Sequence, residues 1–205
     1  MVVPKVSVII PVYNQEELVV RALDSIPARQ DIEILVIDDC STDRTFEVIR
    51  EYRRNHEDRN VRVFHNDENR GVGYTVNVGY DESNGEYIVL LGSDDYFYTR
   101  EFSKVMDWDL DGTDLVYFDI ERNDGIVWDV KEKTKKRFCG SVKFMKRSFI
   151  GDTRNPLKRA REDYDFYQEL LAKNPTENFT HRIVKHYNFP RVGSLTWEAC
   201  NGFKG

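Results

Sequence analysis

Cysteine is scarce in this 205-residue chain: Cys40, Cys139 and Cys200 are odd in number and far apart. They have neither the pairing of a disulfide framework nor metal-ligand spacing, so they read as reduced thiols without a chemical role. Long apolar runs are missing as well, and none approaches the ~20 residues that a membrane span requires. The opening MVVPKVSVIIPVYN lacks a charged region followed by a long apolar segment and a small-residue cleavage site, so it does not read as a signal peptide. A soluble, cytoplasmic protein is expected. Positive charge is not in excess: 30 Lys and Arg stand against 36 Asp and Glu, a net charge of -6. That balance excludes a general nucleic-acid binder, whose affinity comes from neutralising phosphates. The basic run KEKTKKR (131–137) reads as a solvated loop or hairpin. Glycine-rich phosphate loops are also lacking. No GxxxxGK[ST] follows a strand, no GxGxxG opens a helix, and the GVG at Gly71 to Gly73 is too short to count.

What is present is a 40% hydrophobic, 13% aromatic composition, typical of a globular chain long enough to bury a core, and one domain is expected. Strand and helix signals alternate over the first half, the pattern of a mostly parallel α/β sheet covered by helices. KVSVII (5–10) is a β-branched strand, after which Asn14 is expected to cap a helix bearing Leu18, Val19, Ala22, Leu23 and Ile26 on one side. IEILVI (32–37) is a second strand, stopped by Asp38 and Asp39, and Ser41 is expected to cap a helix carrying Phe46, Val48, Ile49 and Tyr52. VRVF (61–64) and EYIVLL (86–91) complete four strands, with a glycine-containing turn and a short helix between them. The second half is less regular: DLVYFDI, GIVWDV and RIVKHYNF read as strands and EDYDFYQELLAK as an amphipathic helix.

In open parallel sheets the ligand lies outside the carboxyl ends of the strands. Tyr13, Asn14, Asp38, Asp39, Asp94 and Asp95 are therefore expected on one edge. The stretch YIVLLGSDDYF (87–97) sets Asp94 and Asp95 straight after a buried strand, where two like charges need a reason. A solvated turn or a helix cap is the simple one. The matching pair at Asp38 and Asp39 favours another: without a P-loop lysine, carboxylates holding a divalent cation can neutralise a bound phosphate.

Five stretches, VSVIIPVYNQEELVVRALDSI, EILVIDDCSTDRTFEVI, NDENRGVGYTVNVGY, NGEYIVLLGSDD and REDYDFYQELL, resemble in order the signature blocks of family 2 glycosyltransferases with the GT-A fold. The resemblance covers Lys5 to Asp95 strongly and Gly140 to Trp197 more loosely. It implies a mostly parallel central sheet flanked by helices, with a nucleotide-binding half at 1–95 and an irregular acceptor-side half at 96–205. It also implies an inverting transfer of a hexose or deoxyhexose from a UDP-sugar, of UDP-glucose or UDP-rhamnose type, to a glycan or glycoprotein hydroxyl, with Mn2+ or Mg2+. The short chain and its CNGFKG ending are similar to the N-terminal catalytic domain of a large chlorovirus-encoded capsid-glycan glycosyltransferase. That narrower likeness implies further catalytic domains in a longer parent chain and a host-cytoplasm location.

By the same resemblance Pro11, Val12 and Tyr13 face the nucleotide base, with the Tyr13 ring able to pack on uracil. Asp39 accepts a hydrogen bond from the uracil N3 or the ribose, Asp38 being the more structural of the two. Asn66 and Arg70 lie in the loop that closes over the base. Ser93 and Asp94 sit near the ribose or a water ligand of the cation, and Asp95 meets the cation directly. Asp163 is the general base, with Glu162 as the fallback, and either late histidine, His181 or His186, is a candidate further metal ligand. Arg191 or Ser194 contacts the donor diphosphate. Two departures stand out: Gly92 where the family's Asp-x-Asp motif begins with an acid, and Val76 where an arginine is common. Two rival readings remain open. One is a degenerate nucleotide-sugar-binding domain; the other is a Mg2+-dependent phosphoryl-transfer fold, which wants a lysine at the end of a later strand.

Overall fold

The computed structural model describes residues 3–131, 141–158 and 162–189. Strands β1 (Val6–Val12), β2 (Ile32–Asp38), β3 (Asn60–His65) and β4 (Tyr87–Leu90) run parallel in the order β3-β2-β1-β4. All seven residues of β2 are buried, as a strand covered on both faces requires. The crossovers carry helices α1 (Val19–Asp24), α2 (Thr45–Asn55) and α3 (Val72–Glu82). Helix α3 presses on β1 at Gly79, where an added Cβ would lie 2.4 Å from Ile9 Cγ2.

The chain continues through β5 (Tyr96–Phe97), α4 (Thr99–Lys104) with a π-turn over Val105–Asp109, β6 (Leu115–Arg122) and β7 (Val127–Trp128). Then come β8 (Lys143–Lys146), α5 (Arg147–Ile150), α6 (Glu162–Ala172) and β9 (Glu177–Tyr187). Among the described residues the sheet has nine strands and extends as β4-β8-β6-β9-β5, with β7 paired on β6. Strand β8 lies antiparallel to both β4 and β6, while β9 is parallel to β6 and antiparallel to β5. Edge-to-face contacts of Phe102, Phe118 and Phe144 fill the core beneath this second half. No helix among the described residues is long and apolar enough to cross a membrane.

Two expected caps are absent. Helix α1 begins at Val19, and α2 at Thr45, without a side-chain cap in either case. Asn14 instead sits at φ +50° and ties the loop after β1 to the loop after β2: its N–H donates to Ser41 Oγ at 2.9 Å, and its Oδ1 accepts from Thr42 N at 2.8 Å. The Ser41 hydroxyl donates to Asp38. Short polar side chains that cap helices also bond neighbouring loops, and here the loop contacts win. The basic run from 132 onward, Cys139 and Cys200 lie outside the described residues, and Cys40 is a free thiol.

Candidate functional site

Strand order reverses at β1. The chain moves from β1 to β2 and β3 on one side, then returns through α3 to β4 on the other. Ligands of open α/β sheets lie at such a switch point. Tyr13 follows β1 there with 44% of its surface exposed, Pro11 is half-buried, and Val12 is buried with its carbonyl accepting from Asp39 N at 2.8 Å.

Asp38 is a structural acid. It is fully buried, accepts from Ser41 N at 3.1 Å, and lies 2.8 Å from His65 Nδ1. Asp39, also buried, clips the loop after β3. Its Oδ1 accepts from Asn66 Nδ2 at 2.8 Å and Arg70 N at 2.9 Å, and its Oδ2 from Gly71 N at 2.8 Å. Gly71 at φ +83° lets two successive N–H groups face one carboxylate, a turn that side chains rarely tolerate. Asn66 is buried and also donates to Thr75 Oγ1, while the Arg70 guanidinium pairs with Glu68 and lies 4.7 Å from the Tyr74 ring centroid.

The second acid loop leaves β4 through Leu91, whose N–H donates to Ile9 O at 3.0 Å, and closes with Asp95 N donating to Gly92 O at 3.0 Å. A Cβ on Gly92 would lie 3.0 Å from Asp95 Oδ2 and 3.1 Å from Asp94 Oδ1. Both carboxylates fold back over this glycine, and a side chain there would meet their oxygens. Ser93 is buried, and Asp94 is half-buried with its carbonyl accepting from Arg21.

Asp95, the expected direct ligand of the cation, has two partners within the chain. Its Oδ2 accepts from the fully buried Lys185 Nζ at 2.9 Å, and its Oδ1 from Asn188 N at 2.9 Å. Lys185 also donates to Ser141 Oγ at 2.7 Å. Sequence analysis missed Lys185 because a lone lysine in a strand reads as solvent-facing.

The base candidate, Asp163, is the second residue of α6 and half-buried. Its neighbour Glu162 packs where a Cβ on Gly73 would lie 3.1 Å from Glu162 Cγ. Gly73 is in the first turn of α3, just after the Gly71 that holds Asp39, so the start of α6 abuts the nucleotide-side loop. Burial, and then the charge of Asp163, raise Glu162 above the usual glutamate value. Arg191 and Ser194 lie outside the described residues. Of the late histidines, His186 stacks on Tyr96 with ring centroids 4.5 Å apart. His181 joins Asp119 and Asp129 instead of Asp94.

The model of the family "Glycosyl transferase family 2" matches residues 7–185. A PGL/p-HBAD biosynthesis glycosyltransferase of Mycobacterium bovis is 31% identical over 205 residues, covering 92% of this chain and 78% of that protein. Among solved structures, S. aureus TarS in complex with UDP-GlcNAc superposes with a TM-score of 0.80 at 22% identity, over 93% of this chain and 60% of that one. The mannosyltransferase PcManGT from Pyrobaculum calidifontis in complex with GDP-Man and Mn2+ gives 0.77 at 21% identity, over 95% and 60%. The curled α/β sheet is thus a GT-A-like fold, and the chain spans about three fifths of these two solved chains. None of these likenesses is viral, so the narrower viral resemblance gains no support from them.

Proposed function

The chain belongs to glycosyl transferase family 2, and on that premise we propose an inverting, cation-dependent transferase that uses a UDP-sugar. It moves a hexose or deoxyhexose, with UDP-glucose and UDP-rhamnose as the donor types to test first, to a hydroxyl of a glycan or glycoprotein. Residues 1–205 act as one transferase unit. The observation that carries this reading is the pair of acid loops, at Asp39 and Asp94, flanking the exposed Tyr13 at the switch point. UDP is favoured by the TarS complex.

The donor set beside Gly92 is oxygen only, the Asp94 and Asp95 carboxylates, which suits a hard cation such as Mn2+ or Mg2+. Asp94 would hold it, with Asp95 beside it tied to Lys185. When bound, the cation supplies positive charge to the departing diphosphate. Tyr13 packs on the uracil, and the Asp39 clip keeps Asn66 and Arg70 closed beside it. Asp163 takes the proton from the acceptor hydroxyl as that oxygen bonds to the anomeric carbon and the bond to the diphosphate oxygen breaks. One displacement from the opposite face inverts the centre.

Turnover of a panel of UDP-sugars tests the reading, with Asp163→Asn beside the wild type. A fall of about 100-fold or more with unchanged UDP affinity is expected for loss of a general base. UDP binding with no turnover by the wild type on any acceptor tried would instead favour a nucleotide-binding domain.

A further inference from the structure

Three separate segments bring ligand atoms together away from the acid loops. Asp119 is in β6, Asp129 follows β7, and His181 lies in β9, and their nearest ligand atoms are all within 4.8 Å of one another. Asp119 carries no cationic partner among the described residues. Only 8% of its surface is exposed, and one N–H, that of Val130, donates to its Oδ1 at 2.9 Å. Asp129 Oδ1 accepts from Lys131 N at 2.9 Å.

The backbone adds an independent sign. Pairing of β6 with β9 slips between Tyr117↔Phe179 and Asp119↔Ile183, so β9 spends four residues where β6 spends two. His181 sits in that bulge at φ +52°, a conformation unusual for histidine. Bulges re-aim side chains, and this one turns the imidazole toward Asp119. By strand alternation Asp119 shares a face with Tyr117, which lies beside Lys143, itself 3.4 Å from the Tyr167 ring centroid in α6. The cluster thus lies on the α6 side of the sheet.

We propose that Asp119, Asp129 and His181 bind a divalent transition-metal ion of the zinc type, separate from the donor cation. Two carboxylates and one imidazole form a three-ligand set that suits such an ion and leaves a fourth position open. Protein ligands of a tetrahedral zinc lie roughly 3.3 Å apart, as bonds near 2.0–2.1 Å require, so binding draws the three side chains slightly closer. The ion pins the β7 hairpin and the β9 bulge onto β6. None of the three ligands is a residue assigned to the donor, so the proposal does not rest on the donor assignment.

Calorimetric titration of the full chain with Zn2+, without nucleotide, tests this on the wild type, His181→Asn and Asp94→Asn. Asparagine tolerates the left-handed backbone at position 181, and circular dichroism checks that each variant is folded. One Zn2+ per chain is expected for the wild type and Asp94→Asn, with affinity at least about 10-fold weaker in His181→Asn. Co2+ substitution is expected to give a visible absorption band that His181→Asn loses. No Zn2+ binding by the wild type, or equal binding by wild type and His181→Asn, would overturn the site. Binding lost in Asp94→Asn and kept in His181→Asn would assign the ion to the donor loop and overturn it too.

Discussion

Lys185 Nζ donates to Asp95 Oδ2 at 2.9 Å with both side chains out of solvent. Removing one member of a buried ion pair strands the other. Lys185→Met is therefore expected to destabilise the fold by about 3–5 kcal/mol, and Lys185→Met with Asp95→Asn to recover most of that loss. Urea denaturation of both variants measures it. Equal losses in the single and double variants would mean that lysine packing, not its charge partner, carries the stability.

Asp39 holds the loop after β3 by three hydrogen bonds, from Asn66 Nδ2, Arg70 N and Gly71 N. Asp39→Ala leaves these donors without their acceptor and releases the loop. Loss of UDP affinity of about 10-fold or more is expected, together with about 1–3 kcal/mol of stability. Calorimetry and denaturation separate the two effects. Unchanged UDP affinity in a folded variant would remove Asp39 and its loop from the donor site.

Gly85 sits against β1, where an added Cβ would lie 2.5 Å from Ser7 Oγ and 2.6 Å from Ser7 N. The backbone atom cannot rotate away. Gly85→Ala is expected to cost about 1–3 kcal/mol by overpacking. Thermal unfolding that matches the wild type would show that β1 and β4 can separate to admit a methyl group.

Glu162 titrates above the usual glutamate value of 4.5, chiefly through burial. Because the fold prefers its protonated form, that contribution is full below the unfolded value and is lost as pH rises through the higher folded one. Glu162→Gln mimics the protonated form at every pH. Its stability relative to the wild type is expected to rise between acid and neutral pH and then level off. A constant difference from pH 3 to 8 would contradict the burial effect.

Much of the first half is legible in the sequence because β1 and β2 are short apolar, β-branched runs with proline or acids at their carboxyl ends. The read strand KVSVII falls within a residue or two of β1, and IEILVI lies wholly inside β2. The caps were misread at Asn14 and Ser41, where side chains bond across loops that are separate in sequence. Strand β8, KFMK, has two lysines in four residues, so its pattern hides that Lys143 is wholly buried against Tyr117 and Tyr167. Lys185 is hidden for the same reason: a polar residue in a strand acquires its role from a partner roughly 90 residues away, Asp95. Spacing along the chain carries no trace of such pairs.

The central claim is a cation-dependent uridine nucleotide site at Asp94, and the most direct measurement is calorimetric titration of UDP with and without Mn2+, on the wild type and Asp94→Asn. The account predicts UDP binding that tightens about 10-fold or more with Mn2+ in the wild type and loses that gain in Asp94→Asn, a difference of about 1.4 kcal/mol or more. UDP affinity that is the same with and without Mn2+, or the same gain in both proteins, would contradict it.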